Sequence, residues 1–146
     1  MDAVRIETAQ TLSDDLLAAL AELLPQLSRS ASPLDAAALE RLLRSPAVRL
    51  LLARDDAGAV VGMLTLALFP IPTGTRAWIE DVVVDSRARG RGIAAALTQR
   101  ALDLARSEGA RTVDLTSRPD REAANRLYAR IGFKRRDTNV YRYELD

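Results

Sequence analysis

The segment from Trp78 to Leu104 constrains the fold more than any other part of the chain. It begins with a strand-like run, WIEDVVVD, which passes through the glycine-rich stretch SRARGRG directly into a helical run. In that helical run the apolar residues recur at i, i+4, i+8 and i+11, which is typical of an amphipathic helix, and RTVDLTS then predicts a further strand. A strand, a crossing helix and a second strand predict a right-handed βαβ unit with parallel strands.

Two helices and a β-hairpin are predicted between an N-terminal strand, VRIET, and this unit. The first helix should begin after Ser13, whose hydroxyl suits an N-cap, and should end or bend at Pro25. The second helix is predicted to be capped by Ser32, with Pro33 in its first position and Asp35 in its first turn. The hairpin takes its turn from DDAG, which lies between two apolar runs.

A last helix and a second hairpin are predicted to follow the βαβ unit. The helix should be capped by Asp120 and stopped by Gly132, and the runs FKRR and VYRYEL should form the hairpin strands. The resulting order, β-α-α-β-β-β-α-β-α-β-β, predicts an α/β fold with one mixed, mostly antiparallel sheet flanked by helices. With 146 residues and no linker-like stretch, residues 1–146 are expected to form a single domain.

The composition removes several kinds of chemistry. The chain contains no cysteine and no histidine, so a thiolate nucleophile, a histidine base, a disulfide and a Cys/His metal site are excluded. No clustered acidic motif suggests a calcium or magnesium site, so we expect no metal. The net charge of +1 argues against a nucleic-acid partner. Neither a signal-peptide pattern nor a run of about 20 apolar residues occurs, so we expect a cytoplasmic protein with no membrane partner.

The stretch between the strand and the helix favours a phosphate-binding site. Gly90 and Gly92 allow backbone N–H groups to approach a ligand, and the helix N-terminus that follows adds unpaired donors and a positive dipole end. Arg87, Arg89 and Arg91 could add charge-assisted contacts to phosphate oxygens. The pattern is neither a Walker A loop nor a dinucleotide fingerprint, and by itself it fits a solvated turn equally well.

Two motifs of this chain resemble those of the GNAT superfamily of N-acetyltransferases. The family's acyl-CoA pyrophosphate loop, [Q/R]-x-x-G-x-[G/A], is matched from Arg87 to Gly92, and WIEDVVVDS is similar to the family's central strand. The run ANRLYARIGF is similar to its second motif, in which an Asn precedes a Tyr by three residues. The resemblance implies a GNAT-like sheet whose central strand splays from its parallel neighbour, and one N-acetyltransferase domain over residues 1–146.

The resemblance also implies where acetyl-CoA would bind as co-substrate. In the family the pantetheine arm pairs with the exposed backbone of the central strand, and the loop amides hold the pyrophosphate. The neighbouring strand would end at Ser117 here, and an Asn and a Tyr of the later helix contact the cofactor. Carried onto this sequence, the cofactor-binding positions are Val82, Val83, Val84, Arg87, Arg89, Gly90, Arg91, Gly92, Ile93, Ala94, Asn125 and Tyr128.

Tyr128 and Glu80 are the candidate catalytic residues. In the family such a Tyr faces the cofactor's sulfur, and a phenol with a reference pKa of about 10 holds a proton that it can give to the departing thiolate. Glu80 shares a predicted strand face with Trp78 and Val82, whereas Asp81 points to the opposite face. A carboxylate is a poor direct base for an ammonium group, so a water chain, electrostatic attraction of the acceptor, or Asp81 in place of Glu80 stays open.

The implied activity is the transfer of an acetyl group from acetyl-CoA to a primary amine, and the lack of cysteine favours direct transfer in a ternary complex. The acceptor could be a small molecule or a protein amine, and the basic residues of the last hairpin could border its site. The apolar helix faces could support a homodimer. Two alternatives stay open: a non-catalytic acyl-CoA-binding module, and a nucleic-acid-binding module that uses residues 87–91 and 134–136.

Overall fold

The computed structural model describes residues 4–30 and 32–146, and it divides the chain into two compact units, residues 1–115 and residues 116–146. In the first unit, one sheet contains β1 (Arg5–Thr8), β2 (Val48–Arg54), β3 (Val60–Ile71), β4 (Gly74–Val84) and β5 (Val113–Asp114). The helices of this unit are α1 (Asp14–Leu27), α2 (Ala36–Arg44) and α3 (Ile93–Ser107), and a short 3-10 turn (Ser86–Ala88) lies between β4 and α3. The second unit contains α4 (Glu122–Ile131).

The strands lie in the order β1-β2-β3-β4-β5, and the first four pair antiparallel with their neighbours. β4 and β5 run parallel but pair at Ala77–Val113 and Trp78–Asp114 alone among the described residues. β4 continues to Val84. Among the described residues, the backbone of β4 after Trp78 is therefore unpaired on the edge where β5 pairs with Ala77 and Trp78. The predicted mixed, mostly antiparallel sheet with a parallel pair is confirmed, although β5 is shorter than its sequence pattern suggests.

The first two helices differ from their predictions at single residues. Ser13 caps α1 as predicted, since its Oγ accepts a hydrogen bond from Leu16 N at 3.0 Å. Pro25 does not end this helix, which continues for two residues to Leu27. The cap of α2 is Asp35 rather than Ser32, because the Asp35 carboxylate accepts from Ala38 N at 2.7 Å.

Helices cover the sheet on two faces. On one face α1 and α2 form an apolar cluster with the strands, made of Leu16, Leu20, Leu23, Leu39, Leu50, Leu52, Met63 and Val83. On the other face α3 lies close to β3, because Gly62 has no side chain there: an added Cβ would lie 3.2 Å from Ile93 Cγ2 and 3.3 Å from Leu97 Cδ1. Each fully buried leucine contributes about 1.5–3 kcal/mol. Both layers therefore hold β4 and the start of α3 in defined positions.

The second unit departs most from the sequence prediction. Its helix begins after Arg121 with no side-chain cap, so the predicted cap at Asp120 is wrong, and it ends at Gly132 as predicted. Residues 134–146 form neither helix nor strand and are exposed, so the predicted final hairpin is wrong. A strand pattern needs a partner strand, and a lone two-stranded hairpin is marginally stable in water. The connecting residues DTN also lack the glycine that a tight hairpin turn favours.

Candidate functional site

A β-bulge in β4 sets the direction of its side chains. Val83 pairs with Met63 and Glu80 pairs with Thr65, so Asp81 and Val82 lie together opposite a single residue of β3. Asp81 has a φ of 53°, and no other described residue except glycines has a positive φ. The extra residue shifts the alternation by one position, so Glu80 shares its face with Val83. The prediction that Glu80 shares a face with Val82 is therefore wrong, because it assumed an unbroken alternation.

The carboxylate of Glu80 is exposed and is held by its neighbour on the same face. Trp78 Nε1 donates a hydrogen bond to Glu80 Oε1 at 2.7 Å. Residues i and i+2 of a strand lie next to each other on one face, so the sequence pattern could have predicted this contact. The arrangement presents a fixed negative charge on the sheet face covered by α1 and α2, where a cation could be attracted.

The glycine-rich loop (residues 85–92) follows β4 and is organised by a buried acid. Asp85 is 3% exposed. Its Oδ1 accepts from Arg87 N at 3.0 Å and from Arg87 Nε at 3.3 Å, and its Oδ2 accepts from Arg87 Nη2 at 3.0 Å. The Arg87 side chain therefore holds the pKa of Asp85 below its ordinary value. Sequence reasoning missed Asp85, although an Asp two residues before the N–H that it accepts is a common local turn pattern.

The end of α1 contacts the same loop. Gln26 Oε1 accepts from Ser86 N at 2.9 Å. Glu22 Oε2 lies 3.9 Å from Arg87 Nη2, but both side chains are largely exposed, so this ion pair adds little stability. Sequence reasoning missed Gln26 as well, and no local pattern points to it because it lies 60 residues from its partner.

The loop ends in a helix start that is open to a ligand. Gly90 and Gly92 have φ values of 81° and 76°, and a Cβ on either would meet no atom within 4 Å. Gly92 occupies the N-cap of α3 without any side-chain cap, and the first helical bond is Ala96 N to Gly92 O at 3.0 Å. The N–H groups of the first helical turn thus have no helical acceptor, and the positive end of the helix dipole lies beside them.

These features fit a phosphate group. Free N–H donors, a dipole and open space above two glycines form the usual anion site at a helix N-terminus. Ile93 and Ala94 begin the helix as predicted, and Arg91 is exposed beside them. Arg89 Nε lies 3.4 Å from the Val84 carbonyl oxygen, a long hydrogen bond back to β4. Among the three predicted arginines, Arg87 differs from the expectation in that its guanidinium binds Asp85 within the loop.

The other predicted residues lie on α4 in the second unit. Asn125 Nδ2 donates to Arg118 O at 3.0 Å, which leaves the Asn125 side-chain oxygen as its acceptor group. Tyr128 is buried, its ring makes an edge-to-face contact with Phe133 at a centroid distance of 5.6 Å, and burial raises the pKa of its phenol, partly offset by Arg121. Asn125 and Tyr128 are three residues apart and so lie on one side of α4.

One further polar atom of the second unit is unsatisfied. The Oγ of Ser117, which follows β5, is buried and has no hydrogen-bond partner among the described residues. A buried hydroxyl without a partner is costly, so a ligand group at this position would stabilise it.

The described residues show neither a metal cluster nor a membrane span. Within residues 4–30 and 32–146, no group of three or more acidic, histidine or cysteine side chains could hold a metal ion. No helix of that part of the chain is long and apolar enough to cross a membrane.

Comparison with proteins of known sequence supports the motif-based prediction. The profile of the acetyltransferase (GNAT) family matches residues 14–133. N-alpha-acetyltransferase 30 of Schizosaccharomyces pombe is 39% identical over 74 residues, which cover 51% of this chain and 49% of that enzyme. The chain thus spans no more than about half the length of the curated relatives that it matches.

Two solved structures share the fold over nearly the whole chain. A ribosomal-protein-alanine N-acetyltransferase from Brucella melitensis biovar Abortus 2308 is 27% identical with a TM-score of 0.78, covering 99% of this chain and 100% of its own. An acetyltransferase from Trypanosoma brucei is 26% identical with a TM-score of 0.79, covering 98% and 100%. The family match includes the β4 bulge, the glycine-rich loop and α4. The chain belongs to the acetyltransferase (GNAT) family.

Proposed function

We propose that this protein transfers the acetyl group of acetyl-CoA directly to the α-amino group of a polypeptide within a ternary complex. The observation that carries the acetyl-CoA part is the glycine-rich loop, where the uncapped start of α3 follows two glycines of positive φ at the end of β4. Acetyl-CoA would supply an activated thioester and a pyrophosphate for this loop to bind. The cytoplasmic location and the single acetyltransferase domain stay predictions from the sequence.

Each part of the binding site has an assigned task in this proposal. The backbone N–H groups from Arg89 to Ala94 would bind the pyrophosphate. The unpaired backbone edge of β4 at residues 82–84 would accept and donate hydrogen bonds to the amides of the pantetheine arm. The family resemblance assigns a further polar contact with the cofactor to Asn125.

Proton transfer to the departing thiolate is assigned to Tyr128. Burial raises the phenol pKa, so the proton stays in place at neutral pH. A thiol has a reference pKa near 8.5 and tyrosine about 10, so the transfer is uphill by roughly 2 kcal/mol before the raised pKa is counted. A site that solvates the thiolate poorly can offset this difference.

The chemistry of the candidate bases favours an α-amine over a lysine as acceptor. Taking a proton from a lysine ammonium to a glutamate with reference pKa values costs about 8 kcal/mol, whereas an α-ammonium costs about 5 kcal/mol. A chain without histidine or cysteine thus suits the acceptor that loses its proton more easily. In addition, the names of the fission yeast and Brucella relatives describe N-alpha- and ribosomal-protein-alanine N-acetyltransferases.

Calorimetric titration tests whether the glycine-rich loop binds acetyl-CoA. The wild type should bind acetyl-CoA, and Gly90→Val should lose that binding because its side chain would project toward the ligand. Gly58→Val is a matched control, since Gly58 has a similar φ of 85° and equally open surroundings but lies in the β2–β3 turn. If Gly58→Val lost as much acetyl-CoA affinity as Gly90→Val, backbone strain would explain the loss. The assignment of the loop as the acetyl-CoA site would then be refuted.

The acceptor is tested by release of free CoA thiol with two peptides. One peptide carries a free α-amine and no lysine, and the other has a blocked N-terminus and one lysine. We expect turnover with the first alone. Turnover confined to the second peptide would overturn the acceptor assignment, and the absence of acetyl-CoA binding would overturn the proposed enzyme itself.

A further inference from the structure

A pocket of about 330 Å³ lies at the amino end of β4, before that strand pairs with β5. This amino-end pocket is lined by the β3–β4 turn, the start of β4 and the residues before β5, namely Thr73, Gly74, Thr75, Arg76, Arg111 and Thr112. All of them belong to the first unit. Among the described residues β5 pairs with Ala77 and Trp78 alone, so the backbone of residues 74–76 is unpaired on that edge.

The amino-end pocket is separate from the glycine-rich loop. β4 runs from Gly74 to Val84, and the glycine-rich loop follows the other end of the strand. At about 3.3 Å per residue, the two ends of β4 lie roughly 30 Å apart. The phosphates of a cofactor bound at the loop would therefore lie far from this pocket, which would take a second ligand.

The lining of the amino-end pocket is cationic and rich in hydrogen-bond donors. Two of its six residues are arginines, three are threonines and none is acidic. Arg111 is exposed and makes no side-chain hydrogen bond or ion pair within the described part of the chain. A guanidinium carries five N–H donors and no acceptor, and each hydroxyl adds a donor. An anion with several oxygens is the ligand that such a lining suits best.

Arg76 is held in place but is not fully satisfied. Its Nη2 donates to Asp114 Oδ2 at 3.2 Å, and 43% of its side chain stays exposed. Its Nε is buried and has no hydrogen-bond partner among the described residues. The Arg76 guanidinium thus has more donors than the protein satisfies. Because Asp114 balances the charge of Arg76, the net positive charge of the pocket comes from Arg111.

We propose that the amino-end pocket is a second anion site, which binds the phosphate monoester group of a small molecule. A phosphoryl group presents three strong acceptor oxygens, enough for both arginines and the threonine hydroxyls at once, whereas a carboxylate presents two. The volume lies at the lower end of the range of about 300–1,000 Å³ for ligand pockets, so the rest of the molecule is small. The inference goes beyond the proposed acetyl transfer and does not depend on it.

An NMR titration of the ¹⁵N-labelled full chain at constant ionic strength tests the site. The probes are glycerol 3-phosphate, inorganic phosphate and glycerol. We expect saturable shifts of the amide signals of residues 73–76 and 111–112 with both phosphates, and none with glycerol. Shifts confined to residues 85–92 would place the phosphate at the glycine-rich loop and overturn the proposal. Binding of inorganic phosphate without glycerol 3-phosphate, or of glycerol as tightly as its phosphate, would overturn it as well.

Three variants test the binding groups in the same titration. Arg111→Gln removes an exposed, unpaired charge, so the fold should persist while glycerol 3-phosphate binds roughly tenfold or more weakly. Thr112→Val removes one hydroxyl at nearly constant size and should weaken binding by roughly two- to tenfold. Arg100→Gln is the matched control, because Arg100 is equally exposed on α3 but does not line the pocket. Unchanged affinity in Arg111→Gln, or an equal loss in Arg100→Gln, would show that the proposed site is wrong.

Discussion

Replacing Asp85 by asparagine should loosen the glycine-rich loop while leaving its shape nearly unchanged. Asparagine keeps an oxygen that can accept the Arg87 N–H, but it loses the charge that binds the Arg87 guanidinium. We therefore expect a less stable protein that binds acetyl-CoA more weakly, with little effect on the rest of the fold.

The magnitude follows from the geometry. A hydrogen bond to a charged group contributes about 1.5–3 kcal/mol. The Asp85 carboxylate is buried but the Arg87 side chain is 79% exposed, so solvent screening lowers the expected loss to about 1–2 kcal/mol. For a chain of this size that loss corresponds to a fall in Tm of roughly 3–6 °C.

The pH dependence separates the charge effect from a general packing defect. The pKa of Asp85 is lowered from its ordinary value of 3.8 chiefly by the hydrogen bond from the Arg87 side chain. Its ionised form therefore stabilises the folded state fully above pH 3.8, and this contribution is lost as the pH falls through the lower folded-state pKa. The Tm difference between wild type and Asp85→Asn should be constant near neutral pH and should shrink in that acid range.

The assay is thermal unfolding of both proteins from neutral to acid pH, with acetyl-CoA titrations at neutral pH. Asp56→Asn, in the exposed β2–β3 turn, is a matched control and should change neither quantity. A Tm difference that stays the same at every pH would show that the charge of Asp85 is not what stabilises the loop, and the reasoning above would fail.

Three further variants test the site. Gly62→Ala should cost about 1–3 kcal/mol of unfolding free energy and weaken acetyl-CoA binding, because the new Cβ would lie 3.2 Å from Ile93 Cγ2 at the start of α3; chemical denaturation and calorimetry measure both. Tyr128→Phe should lower kcat by about a hundredfold or more with acetyl-CoA affinity unchanged, and unchanged turnover would remove Tyr128 from the chemistry. Trp78→Phe should raise the KM of the amine by roughly two- to tenfold through loss of the hydrogen bond to Glu80, which initial rates at varied acceptor concentration would detect.

The parts of the site that depend on neighbouring residues could be predicted from the sequence. The start of α3 after Gly92 follows from a glycine-rich stretch next to an amphipathic repeat, and the structure has both. The Ser13 cap and the parallel pairing of β4 with β5 follow in the same way. In each case the signal lies within one element or in the order of elements.

The β4 bulge shows where local pattern fails. An alternating strand pattern predicts the direction of every side chain only if pairing is continuous, and one extra residue reverses the rest. The bulge is defined by the pairing of β4 with β3, in which Val83 pairs with Met63 and Glu80 pairs with Thr65. Polar residues inside an apolar strand, here Glu80 and Asp81, are the one hint that the sequence offers.

The final hairpin fails for the opposite reason. Its residues have strong strand propensity, but propensity specifies a conformation that needs a partner and does not identify that partner. In the structure the run from Val140 to Leu145 stays exposed, so the sequence pattern was correct about the chemistry of the side chains and wrong about what they pair with. A pattern of this kind predicts pairing equally well within one chain and between two.

One long-range contact connects the glycine-rich loop to the end of α1, and local sequence patterns do not predict it. The loop motif indicates an anion site, yet Ser86, the residue directly before that motif, is held by Gln26, which lies 60 positions away at the end of α1. Because α1 continues two residues past Pro25, Gln26 still lies within the helix when it accepts the Ser86 N–H. Had α1 ended at the proline, one of the two outcomes that its sequence suggests, this acceptor would lie outside the helix and would lose its defined position. The point at which α1 ends relative to Pro25 thus decides whether Gln26 can hold the proposed cofactor loop.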